Sequence, residues 1–168
     1  MCNPATKRYV FVPSCPYSGR IRRDPIVTYL LFDPGASSHF HLVQFCQKLG
    51  HHPVVYSSET QAWSHNKCDW DYRSLYIVPH FPNAYVNGML HLMLYSGKDQ
   101  LAVVDVEGNI QKIFPLPCRA RAGWEQVFSH YIGQSQGCLH YICREPKNWF
   151  WSWKTVPGKI INLGSPGL

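Results

Sequence analysis

The sequence predicts an all-β fold built from a few small antiparallel sheets in a row, and three observations carry that reading. The first is the density of breakers: 12 glycines and 13 prolines in 168 residues. A breaker about every seventh residue leaves little room for helices of the usual ~11–12 residues. The second is composition, with 45% hydrophobic, 14% aromatic and only 15% charged residues, where an ordinary domain carries about 25% charged. So many rings need a packed interior, which excludes intrinsic disorder. The third is repetition of short strand–turn–strand segments.

The repeated turn comes first along the chain. Cys2-Asn3-Pro4-Ala5-Thr6-Lys7-Arg8-Tyr9 returns as Tyr56-Ser57-Ser58-Glu59-Thr60-Gln61-Ala62-Trp63 and as Val104-Asp105-Val106-Glu107-Gly108-Asn109-Ile110-Gln111. Each copy sets Asn, Ser or Asp where a short side chain caps a turn, with Thr or Gly three positions later. The steps from Asn3 to Ser57 and from Ser57 to Asp105 are 54 and 48 residues. Apolar runs, Pro53–Tyr56 and Leu101–Val104, lead into the later two copies and read as strands. A second element, Asn87-Gly88-Met89-Leu90-His91-Leu92, returns 49 residues on as Gln136-Gly137-Cys138-Leu139-His140-Tyr141. On such a strand Leu90, Leu92 and Leu139 face the core, and His91 and His140 alternate to the other side.

A unit of roughly 50 residues with several short strands is the mark of propeller blades. The expected fold is therefore an open, partial β-propeller-like array of about three antiparallel blades. It should be incomplete at its N-terminus, since the first copy lacks the Gly-x-Leu-His strand. An open array exposes blade faces and strand edges, so the chain is expected to be marginally stable and to self-associate. Two domain segments are expected: residues 1–145 form the array, and 146–168 form a divergent, irregular tail rich in Gly and Pro. Between Ala36 and Leu49 the residues fit a helix bearing Leu42, Phe45, Cys46 and Leu49 on one face, and equally a strand through Phe40–Phe45.

Several function classes drop out. Between Arg73 and Lys98 no charge occurs, but Pro79, Pro82, Asn83, Asn87 and Gly88 break the stretch, so no membrane span is expected. Met1–Arg8 has no apolar core of a secretory signal. The 7 cysteines form no C-x-x-C pair, which fits reduced thiols in the cytoplasm or nucleus. His39, His41, His51 and His52 lack the spacing of a metal site, and no cofactor is expected. Gly133-Gln134-Ser135-Gln136-Gly137 matches the G-x-S-x-G nucleophile elbow. That chemistry requires a helix after the serine and then an acid and a histidine in order; an alternating strand follows Ser135 instead, so no enzyme is expected. The net charge of +6 is spread along the chain without the spacing of a nucleic-acid motif. Its densest cluster, Arg20, Arg22 and Arg23, follows the Pro13–Gly19 loop signal and is the candidate contact for an acidic or phosphorylated partner.

Six segments, in order, resemble plant F-box-associated domains. They are Asn3–Arg8 ("NPATK-R"), Leu31-Phe32-Asp33-Pro34 with Ser38–Val43, Val55–Thr60 with Trp63 ("VYSSET…W"), Ala84–His91 ("YVNG-LH"), Val103–Asp105 through Pro115–Pro117, and Ile132–Gly137 ("IGQSQG"). The resemblance covers residues 1 to about 143. It implies a propeller-like receptor that holds protein substrates of ubiquitination for a cullin–RING ligase, with Phe40–Phe45 a strand. No F-box helices precede Asn3, so docking on a Skp-type adaptor is expected only with an F-box supplied upstream. The alternatives are a carbohydrate-binding or carbohydrate-active propeller, which needs acidic pairs such as the closely spaced Asp69 and Asp71, and a truncated product without independent function.

Overall fold

The computed structural model describes residues 2–3, 5–16, 26–46, 53–65, 76–77, 81–95, 99–116, 130–136, 138–144, 150–156 and 159–162. Among these every regular element is a strand, all pairing is antiparallel, and no sheet closes into a barrel. Three sheets follow one another along the chain. Sheet 1 holds β3 (Ile26–Leu31), β4 (His41–Cys46), β5 (Val54–Ser57) and β6 (Ala62–His65), in that order. Sheet 2 runs from β9 (Met89–Tyr95) through β10 (Asp99–Val104) to β11 (Ile110–Pro115). Its first strand is broken into β7 (Tyr76–Ile77) and β8 (Asn83–Val86), which pair different stretches of β9. Sheet 3 is β12 (His130–Ser135), β13 (Cys138–Arg144), β14 (Phe150–Val156) and β15 (Lys159–Asn162). A separate hairpin, β1 (Cys2–Asn3) with β2 (Arg8–Tyr9), opens the chain. This is the open, propeller-like array expected of the repeats.

The repeated turns are hairpin bends, joining β1 to β2 and, in sheets 1 and 2, the third strand to the fourth. Asn3 pairs Arg8, Ser57 pairs Ala62, and Val104 pairs Ile110 across them. Lys7 (φ 54°) and Gln61 (φ 53°) take the same left-handed conformation just before the returning strand. The Gly-x-Leu-His copies sit at a different joint, between first and second strands. Val86 pairs Met89 and Ser135 pairs Cys138, leaving a two-residue bend. Asn87 (φ 51°) and Gly88 (φ 76°) are both left-handed, as a type I′ turn requires, and Gln136 (φ 51°) matches Asn87. In sheet 1 that bend is replaced by the longer connection Phe32–Phe40, which is why the motif has no copy there.

The sheets stack face to face because their strands alternate. In β3 the side chains of Val27, Tyr29 and Leu31 are buried while Ile26, Thr28 and Leu30 are exposed. Val27, Tyr29, Leu31, Val43, Phe45 and Val55 of sheet 1 form one core with Leu90, Leu92, Leu94, Ala102 and Val104 of sheet 2. The intervening positions of sheet 2, Val86, Met93 and Leu101, form a second core with Ile132, Leu139 and Tyr141 of sheet 3. Sheet 2 is therefore covered on both faces, and burying each such Leu contributes about 1.5–3 kcal/mol. Leu90, Leu92 and Leu139 are each 1% exposed, and His91 and His140 are half-buried, as the alternation predicts.

Two readings of the sequence are resolved here. Within Ala36–Leu49 the ordered element is a strand, β4, and not a helix. Of residues 146–168, expected to be an irregular tail, the described ones are strands: β14 pairs β13 from Phe150 to Thr155 and β15 pairs β14, giving a third sheet of four strands. Val156 of β14 pairs Lys159 of β15.

Candidate functional site

In an antiparallel meander the first and third bends fall at the same end of the sheet. For sheets 1 and 2 that end carries the connection Phe32–Phe40 and the turns at Ser58–Gln61, Asn87-Gly88 and Asp105–Asn109. Within each sheet these turns mark one rim, and they are built to hold their shape.

Asp33 starts the first connection. Its carboxylate accepts a hydrogen bond from Gly35 N at 3.0 Å, and its carbonyl accepts from Ala36 N and Ser37 N. Ser37 Oγ then accepts from His39 N at 3.0 Å. The connection is stapled to the next turn in both directions: Phe40 N donates to Ser58 Oγ at 2.8 Å, and Ser58 N donates to Phe40 O at 3.0 Å. Beneath the staple, Phe40 packs on Tyr56 and Tyr56 on Trp63. The Trp63 indole N–H donates to Pro13 O at 2.8 Å, tying the N-terminal segment to sheet 1.

The Asp105 turn of sheet 2 is the most tightly bonded. Asp105 accepts from Glu107 N at 2.9 Å, Asn109 N at 2.8 Å, Asn109 Nδ2 at 3.0 Å and Gln111 Nε2 at 2.7 Å. Burial pushes its pKa up, but hydrogen bonds from Asn109, Gln111 and the Glu107 backbone outweigh that and hold it below the usual carboxylate value. A carboxylate whose oxygens are occupied by its own turn is a structural group, not an acid poised for proton transfer. Gly108 (φ 85°) completes the bend, and a Cβ there would meet Pro53 Cβ at 3.1 Å. The turn thus closes onto sheet 1, and only glycine satisfies both the conformation and the approach.

The electrostatics of the rim are mild. The carboxylates of the residues whose side chains are described all lie in these turns: Asp33, Glu59, Asp105 and Glu107. Burial lowers the His41 pKa, with Glu59 opposing and His39 adding to the shift. Burial raises the Tyr85 pKa, and the charge of Asp33 in the first connection adds to it. Away from the rim, burial pushes Tyr29 up to about 12 and lowers His91, whose ring nitrogen lies 3.2 Å from Met89 O. Among the described residues no group of three or more His, Cys, Asp and Glu side chains could hold a metal ion.

Ser135 of the G-x-S-x-G match ends strand β12 and pairs Cys138, the first residue of β13. Strand–turn–strand replaces the strand–turn–helix of a nucleophile elbow. Arg20, Arg22 and Arg23 lie outside the described residues, as do Asp69 and Asp71. The Asp33 connection and its staple to Ser58 were not read from the sequence as part of a site; Asp-Pro-Gly followed by Ser-Ser was the available turn signal.

No family model, curated protein or solved structure matches the chain.

Proposed function

We propose that the chain is a non-catalytic protein-interaction module, of the kind that holds substrates in an F-box subunit of a cullin–RING ubiquitin ligase. The observation that carries the reading is the rim. Its bends are fixed by side-chain-to-backbone hydrogen bonds, while the strands beneath are committed to two cores. A propeller scaffold of this kind leaves its turns as the surface free to recognise a partner. The ordered motif resemblance supports the ubiquitin-ligase setting, and the bonding of Asp105 and the placement of Ser135 support recognition over catalysis. Arg20, Arg22 and Arg23 are the proposed contacts to an acidic or phosphorylated protein segment. Docking on a Skp-type adaptor would come from an F-box joined upstream, and the setting would be cytoplasmic or nuclear.

The test is a reconstituted ligase carrying the F-box alone or the F-box fused ahead of Met1. The fusion should ubiquitinate proteins that the F-box alone does not, and changing the three arginines to Ala should reduce that set and its salt sensitivity. Identical products from both ligases would remove the reading.

A further inference from the structure

Strand β3 stands apart from the other described edge strands. Sheet 1 ends at β3, whose pairing among the described residues is with β4 alone. Its six residues, Ile26-Val27-Thr28-Tyr29-Leu30-Leu31, include no charge, no proline and no glycine. Such a run, with branched and aromatic side chains, is an efficient template for another strand. Other edges carry the usual protection. β6 is only four residues, β7 and β8 are two and four residues, β11 carries Lys112 and ends at Pro115, β12 carries Gly133, Gln134 and Ser135, and β15 opens with Lys159. The face of β3 turned away from sheet 2 is also apolar and uncovered, with Ile26 39% and Leu30 48% exposed.

We propose that the free edge of β3 pairs antiparallel with β3 of a second copy, joining two sheets into one across a two-fold axis. The strand is its own complement. With the axis through Thr28, Ile26 lies opposite Leu30 of the second copy on the exposed face, and the two threonines meet on the axis. Val27 then lies opposite Tyr29 of the second copy on the core-facing side. Apolar and Thr–Thr cross-strand pairs of this kind are favourable. An uncharged strand offers nothing to a partner chosen by charge, which favours an identical strand over an acidic or basic one. Two copies use up both edges, so assembly stops at a dimer.

Sedimentation velocity over a concentration series tests the register directly. The wild-type chain should form a dimer and nothing larger. Ile26→Lys/Leu30→Lys sets like charges opposite each other and should weaken dimerisation about tenfold or more, as should Ile26→Glu/Leu30→Glu. An equimolar mixture of the two should regain the dimer, since each Lys then faces a Glu. Thr28→Lys, which places two lysines on the axis, reads the same contact from a single exposed site and should be rescued by Thr28→Glu. A monomeric wild type, open-ended oligomers, dimers that persist in the Lys variants, or charged variants that stay monomeric when mixed would each overturn the proposal.

Discussion

Sheets 1 and 2 have nearly the same strand plan and opposite surroundings. The strand Met89–Tyr95 sends Leu90, Leu92 and Leu94 into one core and Met93 into the other, so its sequence is apolar almost without interruption. The strand Ile26–Leu31 alternates buried and exposed, because only one of its faces is covered among the described residues. An interior blade is thus written as a continuous hydrophobic run, and an end blade as a half-buried alternation. The difference comes from position in the stack and not from the strand itself.

The largest effect that would break this comparison is a cavity in the interior sheet. Leu92→Ala, at a position 1% exposed, should cost about 2–5 kcal/mol in chemical denaturation. Leu30→Ala, at 48% exposure, should stay within about 0.5 kcal/mol. Equal losses at the two sites would mean that sheet 2 is not an interior layer.

The junction between the sheets gives the next contrast. Gly108→Ala places a Cβ against Pro53 at a left-handed φ of 85° and should cost about 2 kcal/mol. Gly88→Ala has a left-handed φ of 76° but nothing within 4 Å, so only the backbone cost of about 1 kcal/mol remains. Matching thermal shifts for the two would remove the close approach of the Asp105 turn to sheet 1. Asp105→Ala deletes the acceptor of the same turn and should lose about 1 kcal/mol. Asp105 is depressed in the folded state, so its stabilisation is full above the ordinary value of 3.8 and fades as pH falls through its folded value. The variant should lack that acid-limb contribution.

Protonation of His91 is the smallest contrast. The ring is half-buried on the face of β9 that carries Met93, and burial lowers its pKa from 6.5. The folded state then binds fewer protons than the unfolded chain, so stability is full above pH 6.5 and declines as pH falls toward the depressed value. His91→Gln should flatten the melting profile in that window; an unchanged profile would assign the slope to other groups such as His41, which is lowered in the same sense.

How much of this was legible depended on how locally each feature is encoded. Asn3, Ser57 and Asp105 at their spacing marked three real hairpins, because a turn is fixed by its own few residues. Asn87-Gly88 likewise announced its bend. The strand β4 was not separable from a helix, because Leu42, Phe45 and Cys46 suit either period; what decides it is pairing with β3 and β5, set by residues distant in sequence. The region after 146 misled for a different reason. Its glycines and prolines read as an irregular tail, but pairing of β14 with β13 and of β15 with β14 makes strands of its described residues. The arginines at 20, 22 and 23 were legible as a charge cluster, but the stapled rim was not, since the Phe40–Ser58 bonds join segments 18 residues apart.

Native-state hydrogen exchange tests the stacked array most directly. If sheet 2 lies between sheets 1 and 3, the amides of β9 and β10 should exchange only through global unfolding, with protection matching the free energy from denaturation. Amides of β6 and β11, at the outer edges of their sheets, should open through smaller fluctuations and exchange faster. Exchange of β9 as fast as that of β6 and β11 would contradict an array in which the middle sheet is covered on both faces.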